Sequence, residues 1–217
     1  MSKSQNTSDE LNLIAHKNIT HYDQNAASYY EGTKDHDVSQ NINALLRAIQ
    51  TQPPFQILDF GCGPGRDLQT FTQMGHVAIG LEGSQHAAQI ARAQSACDVL
   101  EQDFFNLDLP ASTFDGIFAN ASLFHIPNQI LPKVLNELWA CLKPNGILFS
   151  SNPRGNNAES WYGDRFGSYH DLASWRSFMK DAKFTEVEYY YRPSGLPFEQ
   201  QHWLASVWKK DSNPHST

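Results

Sequence analysis

No apolar run in this sequence approaches the length of a membrane span, and no stretch of it carries an excess of basic charge. A spanning helix needs about 20 predominantly apolar residues, so none is expected. Sixteen Lys and Arg stand against 23 Asp and Glu, a net charge of -7. Affinity for nucleic acid or anionic lipid rests largely on cations that neutralise phosphates, so neither surface is an expected partner. Cysteine is scarce as well: Cys62, Cys97 and Cys141 are far apart, odd in number and lack metal-ligand spacing. This pattern excludes a disulfide framework and predicts reduced thiols, no bound metal and a cytoplasmic setting. The opening MSKSQNTSDELNLIAHKN lacks the charged start, continuous apolar core and small-residue cleavage site of a secretory signal.

What the chain does have is rhythm. With 217 residues, 40% of them hydrophobic and no break in composition, it can bury one sizeable core as a single domain. From residue 55 onward, short apolar runs alternate with helical segments, which is how βα units building a parallel sheet are written. The strands are expected at 55–60, 76–82, 98–102, 114–120 and 146–151, with helices at about 66–74, 84–94 and 128–142 between them. Pro144 and Gly146 in KPNG forbid continuation of the last helix. A polar stretch, NPRGNNAESWYGDRFGSYH, then reads as a long loop, and loops of that length in compact domains usually have work to do. A helix near 171–182 and two strand-like runs follow, TEVEYYYR and HWLASVWKK. No helix separates those runs, so they should pair antiparallel. Residues 8–50 read as two or three helices. Both termini are polar and expected to be loose.

The stretch ILDFGCGPGRD, residues 57–67, leaves a strand and enters a helix, which is where α/β proteins bind ligands. A phosphate-cradling loop would place Lys and then Ser or Thr after the last glycine, but Arg66 and Asp67 stand there. The dinucleotide fingerprint would have its third glycine where Arg66 is, so that reading is disfavoured. Asp59, Asp67, Glu82 and Asp103 all fall at strand ends beside the loop. Carboxylates there repel a pyrophosphate and suit hydroxyls, an amine or a cation.

Taken together, ILDFGCGPGRD, GLEGS, EQDFF and FDGIFANASLFHIP resemble, in order and spacing, the motifs of the class I S-adenosylmethionine-dependent methyltransferases, in particular their small-molecule members. The resemblance runs over roughly residues 20–209. It implies an α/β, Rossmann-like, seven-stranded, mostly parallel sheet with helices on both faces and a C-terminal antiparallel strand pair. It implies S-adenosyl-L-methionine as cofactor, with S-adenosyl-L-homocysteine as product. Asp59 and the backbone of Gly61, Gly63 and Gly65 would hold the methionine end, with Arg66 at its rim. Glu82 would accept from both ribose hydroxyls, Asp103 from the adenine amine with Phe104 beside the ring, and Asn120 would face the amino group and sulfonium. Residues 1–19 then form a flexible segment, 20–209 the methyltransferase domain with a helical lid over 20–50, and 210–217 a tail.

In the lid, Tyr22 and Tyr29 are the residues expected over the site. Tyr22 and His125 are the candidates for catalysis, His125 as base or orienting group. Asn152, Arg154, Arg165 and Tyr169, in the segment after the fifth strand, join Tyr29 as candidates to bind the acceptor, because such loops carry specificity and an Arg fork suits a carboxylate. The expected acceptor is a small polar metabolite, amino-acid-like, methylated on N, O or S, and the enzyme a monomer or homodimer. NASL stands where enzymes acting on nucleic-acid bases or amide nitrogens place a motif for a planar amine. Two other readings stay open at this point: a nicotinamide-dependent oxidoreductase on a similar sheet, and a cofactor-binding module without catalysis.

Overall fold

The computed structural model describes residues 7–211. Helix α1 spans Ser8–Thr33, and a capping box at Thr7 and Glu10 starts it. Residues 8–19, expected to be flexible, are therefore helical, and Ile14, Ala15 and Asn18 are buried in the body of the protein. Residues 1–6 of that expected segment, and all but the first two residues of the expected tail, lie outside the described residues. Helix α2 follows at Ser39–Ala48, burying Ile42, Ala44 and Leu45 along one stripe.

The α/β body then unfolds in order: β1 (Gln56–Phe60), α3 (Arg66–Gln73), β2 (Val77–Glu82), α4 (Gln85–Ser95), β3 (Val99–Glu101), β4 (Phe114–Asn120), α5 (Leu131–Cys141) and β5 (Leu142–Pro153). After it come β6 (Ala158–Tyr162), β7 (Arg165–Tyr169), α6 (Leu172–Asp181), β8 (Phe184–Arg192) and β9 (Trp203–Lys210). The seven-stranded sheet has the order β3-β2-β1-β4-β5-β9-β8, and β6 and β7 form a separate pair. Strands β1 to β5 run parallel, while β9 lies antiparallel between β5 and β8. This is the α/β architecture read from the sequence, with its antiparallel C-terminal pair.

Period-two alternation gives the sheet two apolar faces. Leu58, Phe60, Ile117 and Leu148 pack with α5 and α6 through Val134, Leu138, Trp175 and Met179. Ile57, Phe118 and Phe149 face α2, α3 and α4 through Leu45, Phe71 and Ala88. Strand order reverses between β1 and β4, so a crevice opens at their carboxyl ends. Helix α5 is shorter than expected because residues 127–130 form a turn before it, and β5 begins directly after it at Leu142. No helix among the described residues is long and apolar enough to cross a membrane.

The stretch expected as a long polar loop is a β-hairpin. Gly163, with φ of 60°, and Asp164 form a two-residue turn between Tyr162 and Arg165. A leading glycine with positive φ suits such a turn. Phe166, Gly167 and Ser168 are buried, because the hairpin folds over the short 3-10 turn Leu123–His125 that follows β4. Asn18 of α1 clips it there, accepting from the Phe166 N-H at 2.8 Å.

Candidate active site

The glycine loop between β1 and α3 is tied to β2, since the N-H groups of Gly61 and Cys62 both donate to the Leu81 carbonyl. Gly61 has φ of 79°, and a Cβ there would come within 2.5 Å of Ser122 Cβ. Its bareness keeps open the floor of a cleft. Gly65 serves a different end. A Cβ on it would lie 2.7 Å from Ala91 Cα, so this glycine lets α3 start hard against α4, and it lines neither of the two clefts described below. Gly65→Ala should cost on the order of 3 kcal/mol in denaturant unfolding, combining left-handed strain with backbone overlap. Gly75→Ala is the control, since φ there is 84° with nothing within 4 Å, and it should cost only about 1 kcal/mol. Equal losses would refute the packing role.

The cleft above the loop spans about 660 Å³ including space open to solvent, and is walled by Tyr22, Tyr29, Gly61, Gly63, Glu82, Asp103, Phe104, Asn120, Ser122 and His125, among others. Glu82 ends β2 with a buried carboxylate, Oε2 accepting from the Gly63 N-H at 2.9 Å and Oε1 from the Ser84 N-H at 2.8 Å. Burial pushes its pKa up, against these two N-H groups. Each oxygen still has a lone pair to offer. Asp103 is partly engaged in its own turn, accepting from the Phe105 N-H and the Asn106 amide. Phe104 stacks on Phe60 at 4.4 Å between ring centroids, which sets its ring at the cleft wall.

Two buried oxygens at this crevice have no partner: Asp59 Oδ2 and Ser122 Oγ. Asp59 does not line the cleft itself; it sits beneath the loop, and burial, reinforced by Asp67, holds its pKa well above the usual carboxylate range. Arg66, expected at the cofactor's rim, points instead toward a second cleft, its guanidinium held by Asp67 and the Thr33 carbonyl.

Tyr22 and His125 meet. The Phe166 carbonyl, 2.8 Å from His125 Nδ1, can only accept, so Nδ1 carries the proton. His125 Nε2 then accepts from the Tyr22 hydroxyl, also at 2.8 Å. Burial pushes the His125 pKa down to about 4 and that of Tyr22 up to about 12, so the pair stays neutral. Both ring nitrogens of His125 are thus engaged, Nδ1 with the Phe166 carbonyl and Nε2 with the Tyr22 hydroxyl.

The second cleft, about 1420 Å³ including space open to solvent, shares Tyr22, Tyr29, Asn120 and Ala121 with the first. Its further walls come from the α1–α2 linker (Asp35, His36, Asp37), from Arg165 of the hairpin, and from Arg192, Pro193 and Trp203 at the β8 and β9 ends. Of the residues expected to bind an acceptor, Tyr29 and Arg165 line this cleft. Three others do not. Arg154 lies 3.7 Å over the Phe198 ring and donates to the Phe198 carbonyl, drawn there by an aromatic face outside both clefts. Asn152 follows Ser151, which lines the second cleft, and the strand alternation turns Asn152 to the opposite side. Tyr169 packs against Gly155 and Gly167. Ser122 and Asn41 went unnoticed in the sequence, and Arg192 read there as part of the connection between the last two strands, although a small residue following β4 opposite a glycine is a readable sign of a close approach.

Comparisons with known proteins bear on this geometry. Residues 57–146 match the family described as Methyltransferase domain. Sterol 24-C-methyltransferase of Yarrowia lipolytica is 27% identical over 128 residues, covering 55% of this chain and 33% of that protein. Trans-aconitate 2-methyltransferase of Escherichia coli is 33% identical over 114 residues, covering 50% and 43%. The match thus spans less than half the length of these curated relatives. Burkholderia thailandensis 1,6-didemethyltoxoflavin-N1-methyltransferase, solved with 1,6-didemethyltoxoflavin and S-adenosylhomocysteine bound, superposes with a TM-score of 0.75 at 19% identity, over 97% of this chain and 93% of that one. At that identity the likeness is one of fold.

Proposed function

We propose that this chain, which belongs to the class I S-adenosylmethionine-dependent methyltransferases, transfers a methyl group from S-adenosylmethionine to a small polar acceptor bearing a carboxylate. The observation that carries this reading is the pair of clefts sharing the wall of Tyr22, Tyr29, Asn120 and Ala121. One suits the cofactor and the other, lined by Arg165 and Arg192, suits an anionic partner.

The residues of the first cleft fit the cofactor. Glu82 offers two acceptor oxygens to a pair of ribose hydroxyls, and Asp103 with Phe104 offers an acceptor and an aromatic edge to adenine. The partnerless Ser122 Oγ, which lines the cleft, can accept from an amino group. When bound, the cofactor supplies a methyl group already activated on a positively charged sulfur. What remains for the protein is alignment and exclusion of water. Tyr22, held by His125, and Tyr29 close the junction from α1, their rings meeting edge to face at 5.5 Å. Asn120 is oriented from behind by Asn41, whose amide donates to its Oδ1 at 3.0 Å.

A nicotinamide-dependent oxidoreductase is disfavoured, because Arg66 takes the third glycine's place in the dinucleotide fingerprint. The two kinds of relative differ in their acceptors, a sterol and an acid. A sterol needs a long apolar channel, and the charged lining of the second cleft favours the acid. Incubating the protein with methyl-labelled S-adenosylmethionine and a metabolite extract should yield small molecules heavier by one methyl group in mass spectrometry. Failure to label any acceptor in extracts from several sources would count against the reading.

A further inference from the structure

We propose that the acceptor atom is a carboxylate oxygen of a small diacid and that the product is its methyl ester. This rests on the methyl-transfer reading above and names the acceptor chemistry within it. The junction of the two clefts offers donors. Tyr190 donates to Asn41 Oδ1 at 3.0 Å, which turns the Asn41 amide toward Asn120 Oδ1. The Asn120 oxygen is thereby taken, and its own N-H groups are what it has to give. Arg165 adds a guanidinium beside the Tyr22 hydroxyl. The Tyr22 proton is committed to His125, and the second nitrogen of His125 to Phe166. Neither group takes up a proton near neutral pH, since burial drives His125 down and Tyr22 up.

An amine, hydroxyl or thiol reaches the enzyme protonated and needs a base at this junction. A carboxylate does not. Asp35, His36 and Asp37 face the second cleft from the α1–α2 linker but do not line the first, and Glu82 and Asp103 line the first but not the second. Donors without a base at the meeting point match an oxyanion that arrives ready to react.

The second carboxylate follows from the second cation. Arg192 lines the second cleft but not the first, and its guanidinium donates to the Asp37 carbonyl. Arg66, in contrast, is neutralised by Asp67 at 2.7 Å. Among the described residues neither Arg165 nor Arg192 forms a salt bridge, although the Asp37 carboxylate lies near enough to Arg192 to be drawn to it, so the cleft presents one guanidinium at the junction and another, partly offset, away from it. An acid group on each orients the molecule with one carboxylate at the methyl group. In the transfer, a carboxylate oxygen forms the new O-C bond as the S-C bond breaks, with the electron pair passing to sulfur. Carboxylate and sulfonium charges cancel, and no proton is released.

The labelled products of the extract experiment give the test. Mild alkali hydrolyses methyl esters and frees their label as volatile methanol, whereas N-methyl, S-methyl and ether groups keep it. Release of the label supports the proposal. Alkali-stable label overturns it while leaving methyl transfer intact, and no label in any product overturns the underlying reading and this one with it. A binding measurement addresses the cations without turnover. Succinate, titrated into the protein holding S-adenosylhomocysteine, should bind at least tenfold more weakly to Arg192→Met, with the affinity for S-adenosylhomocysteine unchanged. Equal succinate affinity in the variant, or no uptake by the unaltered protein, would contradict the second anchoring site.

Discussion

Replacing Glu82 by Ala should lower the affinity for S-adenosylhomocysteine at least about 100-fold in calorimetric titration. The estimate comes from two hydrogen bonds to a carboxylate, each worth about 1.5 to 3 kcal/mol. The side chain does more than face the ligand, because its oxygens also hold the N-H groups of Gly63 and Ser84 and so fix the glycine loop relative to the start of α4. Glu82→Gln should fail as well. Its amide NH₂ replaces one acceptor, and with backbone N-H groups aimed at both positions, one of them would meet a donor. The folded state should survive both changes, since burial of the carboxylate is itself unfavourable. Binding within threefold of the unaltered protein in Glu82→Ala would remove the basis for assigning this cleft to the cofactor.

Acidification should destabilise the protein through His125, by an amount on the order of 3 kcal/mol between pH 7 and 4. The folded-state pKa is about 4 against an ordinary 6.5. Above pH 6.5 folded and unfolded chains both hold a neutral imidazole, and nothing changes. Between 6.5 and 4 the unfolded chain takes up a proton that the folded chain refuses, so stability falls as pH falls. Asp59 and Glu82 work in the opposite sense, since burial pushes their pKa values up and the folded chain gains protons there before the unfolded chain does. The His125 contribution must therefore be read as a difference. Denaturant unfolding of His125→Gln should show a correspondingly weaker loss of stability across this pH range than the unaltered chain. Tyr22→Phe should also weaken it, because the freed Nε2 can accept a proton. Identical pH profiles for all three proteins would show that the buried pair does not form.

The βα rhythm, the order of strands along the chain and the glycine loop were legible because they depend on neighbours in sequence. Apolar period, glycine placement and the acids ending β1 and β2 are local signals. Glu82 and Asp103 were found as acids at strand ends and Phe104 through the resemblance, and all three line the first cleft. The hairpin was missed although Gly163 and Asp164 announce its turn, because its polar and glycine-rich composition outweighed its alternation. The helix from residue 8 was legible, but its docking, which removes most of the expected flexible segment, was not, because burial of Ile14, Ala15 and Asn18 depends on partners far along the chain.

The sequence alone determined the fold class and the ligand chemistry expected at the β1 loop, since an amide-lined turn flanked by carboxylates has the same preferences wherever it sits. The acceptor side was decided by the tertiary structure. Arg154 and Arg165 look equivalent in sequence, yet one is captured by Phe198 and the other enters the second cleft. Arg192, which read as part of a connection, lines that cleft because β8 ends beside the α1–α2 linker. The state of His125 likewise rests on Tyr22 and Phe166, 103 and 41 residues away. Which groups remain free to meet a substrate depends on which others have already satisfied them, and only long-range packing decides that.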